Sequence, residues 1–255
     1  MITVGIDVGS ITAKAAVVKD GEVISYKLIL TGYNARKAGE KVFENVIKDL
    51  CMQSSSIDKI ISTGYGRNSV VIAHNAVTEI TCLAMGAHFL DPAIRSVIDI
   101  GGQDSKAIAI TGIGSVKDFA MNDKCAAGTG RFLEVMARAL EVDLNDFGDF
   151  SLKADHPSTI SSLCTVFAES EVISLISKGE KRSNIIAGIH ESIAARVVAM
   201  AGRVGLKTPI MMTGGVAKNI GVVKALERKT GEKIAVSPKA QITGAIGAAL
   251  IGQRA

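Results

Sequence analysis

A thirteen-residue pattern occurs twice in this chain of 255 residues, and it constrains the fold more than any other feature. Residues 6–18 read IDVGSITAKAAVV and residues 98–110 read IDIGGQDSKAIAI, with Ile, Asp, Gly, Lys and Ala in register. In each copy an apolar strand ends in Asp-x-Gly, and a second strand follows a short turn. Each copy continues to a glycine-containing turn and another strand, so the sequence predicts the same three-stranded meander twice.

Helical and extended patterns alternate in both halves of the chain. Apolar residues at helical spacing predict helices over residues 38–50, 79–90, 130–140, 166–177, 185–202, 217–229 and 241–252. Short apolar runs predict further strands over residues 59–63, 210–213 and 234–236. We therefore predict an α/β protein of two lobes, residues 1–93 and 94–255, with the last helix able to pack back against the first lobe.

Charge and composition argue against several classes of function. The formal net charge is only +4 and Trp is absent, so neither a basic stripe for a phosphate backbone nor a stacking platform for bases is visible. Apolar runs are far shorter than the ~20 residues of a membrane span, and the chain starts at once with a strand-like segment. We expect a soluble, cytoplasmic protein that binds neither nucleic acid nor a membrane.

The turns that end the repeated strands are suited to binding phosphate. A glycine directly after a strand lets the backbone approach an anion, and the neighbouring N–H groups donate hydrogen bonds to it. Gly9-Ser10 and Gly101-Gly102 fit this pattern. A single Asp-x-Gly is more often an ordinary tight turn, but its duplication favours a nucleotide site.

Charged residues recur beside both turns. Asp7 and Asp99 stand at strand ends, where each is suited to holding Mg²⁺ through water. Lys14 and Lys106 are placed to neutralise phosphate, although each also fits a lysine at a solvent-facing strand end. The sequence thus predicts two similar half-sites for a nucleotide and its metal ion.

A third glycine turn follows a later strand. Residues 211–219 read MMTGGVAKN, which suits close approach of the backbone to a base and ribose, although a helix entry also favours small residues. In this order the three turns resemble the actin, Hsp70 and sugar-kinase ATPase superfamily over almost the whole chain. The resemblance implies two duplicated lobes of ribonuclease H-like fold with the nucleotide in the cleft between them. No Walker motif is present.

The four cysteines, Cys51, Cys82, Cys125 and Cys164, lie far apart, and their spacing alone does not indicate a metal site. Cys125 and Cys164 each precede a predicted helix, where the helix N-terminus lowers the pKa of a thiol and suits a cluster with negatively charged sulfurs. Two buried structural cysteines are the alternative. We expect Cys51 and Cys82 to be core residues.

Several segments together resemble the activators of 2-hydroxyacyl-CoA dehydratases and benzoyl-CoA-type reductases, the BadF/BadG/BcrA/BcrD ATPase family. They are MNDKCAAGTGRF at 121–132, SLCTVFAESEVIS at 162–174, TGYGRN at 63–68, IDIGGQD at 98–104 and IAGIH at 186–190. The resemblance implies that Cys125 and Cys164 ligate a [4Fe–4S] cluster. Since such a cluster takes four thiolates, it would bridge a homodimer. This chain departs from the family pattern at Ile11, where a hydroxyl is usual, and at Leu83, where a histidine is common.

The resemblance also implies a mechanism. A ferredoxin or flavodoxin reduces the cluster, ATP hydrolysis changes lobe closure, and one electron passes to a dehydratase or reductase partner that carries iron and sulfur. Gln103 or Asp104 would orient the attacking water, with Asp7 as a further catalytic residue. The candidate nucleotide-binding residues are Gly9, Ser10, Ile11, Thr12, Ala13, Lys14, Gly101, Gly102, Gln103, Gly128, Thr129, Gly130, Gly214, Gly215, Lys218 and Gln241.

Two other functions remain open on the sequence. The first is a small-molecule kinase of the same superfamily in which the cysteines are structural, although no acceptor pocket is evident. The second is a scaffold that binds partners according to nucleotide state without catalysing a reaction. Residues 128–130 also suggest a hypothesis of coupling, because they lie close in sequence to Cys125 and belong to the candidate nucleotide-binding set.

Overall fold

The computed structural model describes residues 1–161 and 164–254, and these residues form two compact units. The first unit contains Met1–Val97, Ile110–Asp118 and the chain from Ser237 onward, and the second contains Ile98–Ala109 and Phe119–Val236. The lobe boundary expected after residue 93 lies four residues before the first change of unit, and the chain then changes unit three more times. The last helix belongs to the first unit.

Strands and helices alternate along the chain, as the sequence predicts. The strands are β1 (Ile2–Val8), β2 (Thr12–Lys19), β3 (Glu22–Leu30), β4 (Lys59–Thr63), β5 (Asn75–Ala76), β6 (Ser96–Ile100), β7 (Ser105–Ile110), β8 (Val116–Asn122), β9 (Ile210–Thr213) and β10 (Ile234–Val236). The helices are α1 (Ala35–Asp49), α2 (Glu79–Leu90), α3 (Gly130–Ala139), α4 (Phe147–Leu152), α5 (Thr165–Ser177), α6 (Arg182–Ala201), α7 (Ile220–Thr230) and α8 (Thr243–Arg254).

Both units contain a five-stranded sheet with the same strand order. The first sheet runs β3-β2-β1-β4-β5, with β1 antiparallel to β2 and parallel to β4. The second runs β8-β7-β6-β9-β10, so each strand occupies the place of the strand five positions earlier. The repeat seen in the sequence therefore extends beyond the meander to the two strands that follow it.

Helices cover the first sheet closely because small residues line their contacts. α8 packs against α2, β1 and β4. A side chain at Gly247 would collide with the Cys82 carbonyl, and one at Gly86 would collide with the Thr243 carbonyl. Glycine thus lets the backbones of α2 and α8 approach each other more closely than any side chain would permit.

Local capping explains where several helices begin. The Asn34 side chain accepts a hydrogen bond from Lys37 N, so α1 starts at Ala35, three residues before the predicted start. The helix predicted from residue 217 is wrong at its N-terminus, since a 3-10 turn spans Gly215–Lys218 and Asn219 caps α7 through Val222 N. The short helix α4 was not predicted from the sequence pattern.

None of the helices in the described ranges combines the length and apolar character that crossing a bilayer requires.

Candidate functional site

The two repeated turns are tight hairpins with the same hydrogen bond. Gly9 N–H donates to the Thr12 carbonyl at 3.0 Å, and Gly101 N–H donates to the Asp104 carbonyl at 2.9 Å. Two residues therefore stand at each hairpin tip, Ser10-Ile11 in the first unit and Gly102-Gln103 in the second. Gly9 is further fixed by Thr31, whose hydroxyl donates to the Gly9 carbonyl at 2.8 Å.

In the first unit an ion pair lies at the strand end beside the hairpin. Asp7 stands opposite Lys14 in the β1–β2 register, and Lys14 Nζ lies 3.2 Å from Asp7 Oδ2. Gly64, directly after β4, has φ +86°, and a side chain there would collide with Asp7 Oδ1. The turn after β4 therefore comes close to the Asp7 carboxylate only because residue 64 is glycine.

The second unit repeats this arrangement with more contacts. Asp99 is buried, with Oδ1 accepting from the Thr213 hydroxyl at 2.7 Å and Oδ2 lying 3.5 Å from Lys106 Nζ. Lys106 also pairs with Asp104 Oδ1 at 2.7 Å. Gly214 has φ +87° and lies against Asp99, as Gly64 lies against Asp7. Each unit thus places a carboxylate, a lysine and a left-handed glycine at one strand end.

Asp104 and Gln103, the two residues considered for orienting water, have different surroundings. The Asp104 carboxylate is held by Lys106 and lies against Gly101, whereas Gln103 is exposed at the hairpin tip. Gln103 therefore has the freer polar side chain. Thr213 was missed from the sequence, although its position could have been found, because Thr213-Gly214 repeats Thr63-Gly64 at the ends of β9 and β4.

The remaining nucleotide-binding candidates fall into both units. Gly215 and Lys218 bound the 3-10 turn before α7, and Gln241 lies in the 3-10 turn Ala240–Ile242 that leads into α8 of the first unit. Gly128 has φ +92° and Thr129 is fully buried. Residues 128–130 therefore form the turn that leads into α3 and do not lie at a hairpin tip.

The start of α3 is hydrogen-bonded to the second hairpin. Gly130 N–H donates to the Gly101 carbonyl and Arg131 N–H to the Gly102 carbonyl, both at 2.8 Å. On the other side, the Thr129 hydroxyl donates to the Ala126 carbonyl at 2.6 Å. A short, bonded path therefore connects the candidate phosphate turn to the segment that carries Cys125.

Cys125 and Cys164 are both exposed and occupy different local structures. Cys164 is the N-cap residue of α5, as predicted. The expectation that Cys125 also sits at a helix start is wrong, because α3 begins only at Gly130. A turn closed by the hydrogen bond from Thr129 N–H to the Ala126 carbonyl intervenes, and the Asn122 amide donates to the Cys125 carbonyl at 2.8 Å. Ser162 and Leu163, in the segment resembling a cluster-binding motif, lie outside the described residues.

Arg196 on α6 lies near both cysteines, and sequence reasoning missed it. Burial lowers the pKa of Arg196, whereas electrostatic interactions with Cys125 and Cys164 act in the opposite direction. Both cysteines therefore interact electrostatically with one guanidinium. No local sequence pattern connects residue 196 with residue 125.

The other two cysteines differ from each other. Cys82 on α2 is buried, and burial raises the pKa of its thiol to about 12. The expectation that Cys51 is a core residue is wrong, since Cys51 is exposed. It follows the C-terminal end of α1 in a left-handed conformation, with φ +51°.

Comparison with known proteins finds full-length relatives. The BadF/BadG/BcrA/BcrD ATPase family matches residues 4–252. The (R)-2-hydroxyglutaryl-CoA dehydratase activating ATPase of Acidaminococcus fermentans is 49% identical over 97% of this chain and 95% of its own length. The activator of lactoyl-CoA dehydratase of Anaerotignum propionicum is 47% identical over 100% of this chain and 98% of its own length.

Solved structures extend the likeness to the fold. The activator of the 2-hydroxyisocaproyl-CoA dehydratase from Clostridium difficile, with bound ADPNP, has a TM-score of 0.93 and 42% identity, covering 98% of this chain and 94% of that one. A ROK family glucokinase from Streptomyces griseus has a TM-score of 0.63 at 12% identity, covering 100% of both chains. The predicted α/β fold of the sugar-kinase type is confirmed.

Proposed function

Because this chain belongs to the BadF/BadG/BcrA/BcrD ATPase family, we propose that it hydrolyses ATP to drive one-electron transfer from a [4Fe–4S] cluster to a partner enzyme. The partner is a 2-hydroxyacyl-CoA dehydratase, an aromatic acyl-CoA reductase or a related iron–sulfur reductase. One observation carries the proposal: two exposed thiols lie near one arginine in a chain that is 49% identical to a dehydratase activating ATPase.

The hairpin turns support ATP hydrolysis. Backbone N–H groups at the hairpin tips, Ser10 and Gly102, would donate to phosphate oxygens, and Lys14 and Lys106, which lie in the strands beside these hairpins, would supply cations. Asp7 and Asp99 would hold Mg²⁺ through water, which neutralises charge on the phosphates when bound. Gln103 would orient the attacking water. Gly214, Gly215 and Lys218 would contact the adenosine.

The cysteines fit a cluster shared by two chains. A [4Fe–4S] cluster takes four thiolates, and this chain offers two exposed ones within reach of one cation, so a second copy would supply the others. When bound, the cluster supplies a site that accepts and releases one electron. The α5 helix that follows Cys164 supports a second copy, because it exposes apolar side chains at Val166, Phe167, Ile173 and Ile176.

The bonded path at α3 supports coupling between the two sites. A change at the Gly101-Gly102 turn would displace Gly130 and Arg131, whose N–H groups are bonded to that turn. Thr129 and Ala126 would carry the displacement to the Cys125 turn. We propose that ATP hydrolysis, which yields ADP and phosphate, acts on the cysteines along this path. A ferredoxin or flavodoxin would return the electron.

The test begins with protein purified without oxygen. We expect about four iron and four sulfide per two chains, and a single-electron EPR signal on reduction. Cys125→Ala and Cys164→Ala should each abolish iron binding, while the control Cys51→Ala, another exposed thiol, should leave it intact. The native protein with ATP and a reduced ferredoxin should activate a 2-hydroxyacyl-CoA dehydratase. Iron retained in both cysteine variants would refute the ligand assignment, and a colourless native protein would favour the kinase alternative.

A further inference from the structure

Arg196 is a charged residue that belongs neither to the proposed cluster ligands nor to the candidate nucleotide-binding residues. It lies on α6, away from both cysteines in sequence, and its side chain is partly buried. A Cβ placed on Gly128 would lie 3.8 Å from both Cβ and Cδ of Arg196. The arginine stem therefore packs along the turn between Cys125 and α3, at a residue whose φ of +92° favours glycine.

The charge of Arg196 acts on both cysteines. Both Cys125 and Cys164 interact electrostatically with the guanidinium, which stays protonated in proteins. Lys124, next to Cys125 in sequence, is exposed, so water screens its charge more than that of the partly buried Arg196. Arg196 thus supplies a partly buried positive charge that acts on both thiols.

We propose that Arg196 is a positioning residue that fixes the Cys125 turn and favours the reduced cluster. This inference rests on the proposed function. Reduction adds one electron, so the reduced cluster with its four thiolates carries one more negative charge than the oxidised cluster. A nearby cation stabilises the more negative state more strongly and so raises the reduction potential. Two copies of the chain would bring two such arginines to one cluster.

The test compares Arg196→Gln with Arg196→Lys in the anaerobic holoprotein, using Lys124→Gln as the control. The reduced fraction is followed by EPR during a redox titration at fixed pH. At the potential where the native cluster is half reduced, Arg196→Gln should lower the ratio of reduced to oxidised cluster about tenfold. Arg196→Lys should recover most of this loss because it keeps the charge, and Lys124→Gln should change the ratio less than about twofold.

Iron content and circular dichroism complete the test. Loss of iron from Arg196→Gln with native helix content, and its retention in Arg196→Lys, would also support the inference. An unchanged potential in Arg196→Gln, an equal shift in Lys124→Gln, or equal iron loss from Arg196→Lys would each overturn it. Any of these results leaves the cluster of the native protein in place, whereas native protein without iron would refute the proposed function itself.

Discussion

At the scale of single residues, the two strand-end lysines have different surroundings despite their matching sequence positions. Lys106 is 2% exposed and bridges two carboxylates, Asp99 and Asp104. Lys14 is 12% exposed, and within the described residues its ion pair is with Asp7. A buried charge is tolerated only when its partners compensate for lost hydration, so removing the cation leaves more uncompensated charge in the second unit.

We therefore expect Lys106→Met to lower the free energy of unfolding by about 3 kcal/mol or more. Lys14→Met should cost roughly half as much, since only one carboxylate loses its partner and that carboxylate is better hydrated. Urea denaturation without nucleotide measures both. Equal losses of unfolding free energy in the two variants would contradict the argument that the deeper burial of Lys106 makes its removal more costly.

His190 is another buried ionisable residue, and it lies in the core of the second unit. Its Nε2 is 3.3 Å from the Asn219 amide nitrogen, and its ring meets Phe147 edge-on with centroids 5.5 Å apart. Burial, with a smaller contribution from Arg228, lowers the pKa of His190 to about 3. The imidazole therefore stays neutral in the folded protein at ordinary pH.

This pKa predicts a loss of stability in mild acid. In the unfolded chain His190 takes up a proton near pH 6.5, but in the folded chain it does so only near pH 3, so stability falls as pH drops through this window. The cost at pH 5 is on the order of 2 kcal/mol relative to pH 7.5. Denaturation of His190→Asn at both pH values should show a correspondingly weaker pH dependence, while His156→Asn, which alters an exposed histidine, should keep the native dependence. A native slope in His190→Asn would contradict the prediction.

At the scale of elements, the residues at the start of α3 are hydrogen-bonded both to the second hairpin and to the turn that follows Cys125. Thr129 is the N-cap residue of α3, yet its hydroxyl donates back to the Ala126 carbonyl and does not accept a capping hydrogen bond from the helix N–H groups. The next two residues bond the second hairpin. The helix start is thus tied to the cysteine turn on one side and to the candidate phosphate turn on the other.

We expect Thr129→Val to keep the cluster but to uncouple ATP hydrolysis from electron delivery. Valine fills the same buried space but cannot donate its side chain to Ala126, so the tie between the helix start and the Cys125 turn keeps only its backbone bond. Iron content and ATP hydrolysis should stay within about twofold of native, while activation of the partner dehydratase falls at least tenfold. Thr129→Ser, which keeps the hydroxyl, should remain active. Unchanged partner activation in Thr129→Val would refute the coupling.

At the scale of the whole molecule, α5 is notable for the large apolar side chains that it leaves exposed on a single chain. Phe167 is 68% exposed, and Ile173 and Ile176 lie further along the same helix. Only Ala168 and Val172 of this helix are buried. A second copy that packs on α5 would bury apolar side chains of the helix that follows Cys164.

We expect Phe167→Glu to weaken the dimer and to lose iron in parallel, because a charge placed in an apolar contact is costly to bury. Native protein without oxygen should have twice the mass of the 26.6 kDa chain by light scattering. Leu30→Glu, which changes an apolar residue that is 76% exposed on β3, should stay dimeric with full iron content. A dimer with native iron in Phe167→Glu would place the contact elsewhere.

The sequence predicted local features well and long-range ones poorly. The Asp-x-Gly turns and the matched lysines follow from short patterns, so the twin three-stranded meanders could be predicted from them, whereas the matching order of all five strands emerged from the structure. Arg196 could not, because its relation to Cys125 arises only when α6 packs behind the turn at Gly128. Cys51 was misjudged because residue type favours burial for cysteine, whereas the end of α1 decides its exposure.

Two hydrogen bonds join the start of α3 directly to the second hairpin, so these two segments are held together without a flexible linker between them. A long flexible linker would absorb a small movement at one end, but the turn containing Ala126 and Thr129 is closed by bonds at both ends. On the proposed function, such a connection would make the size of the movement at the thiols follow the size of the movement at the Gly101-Gly102 turn. On the proposed function, the release of the electron would therefore be timed by nucleotide state rather than by random motion of a loop.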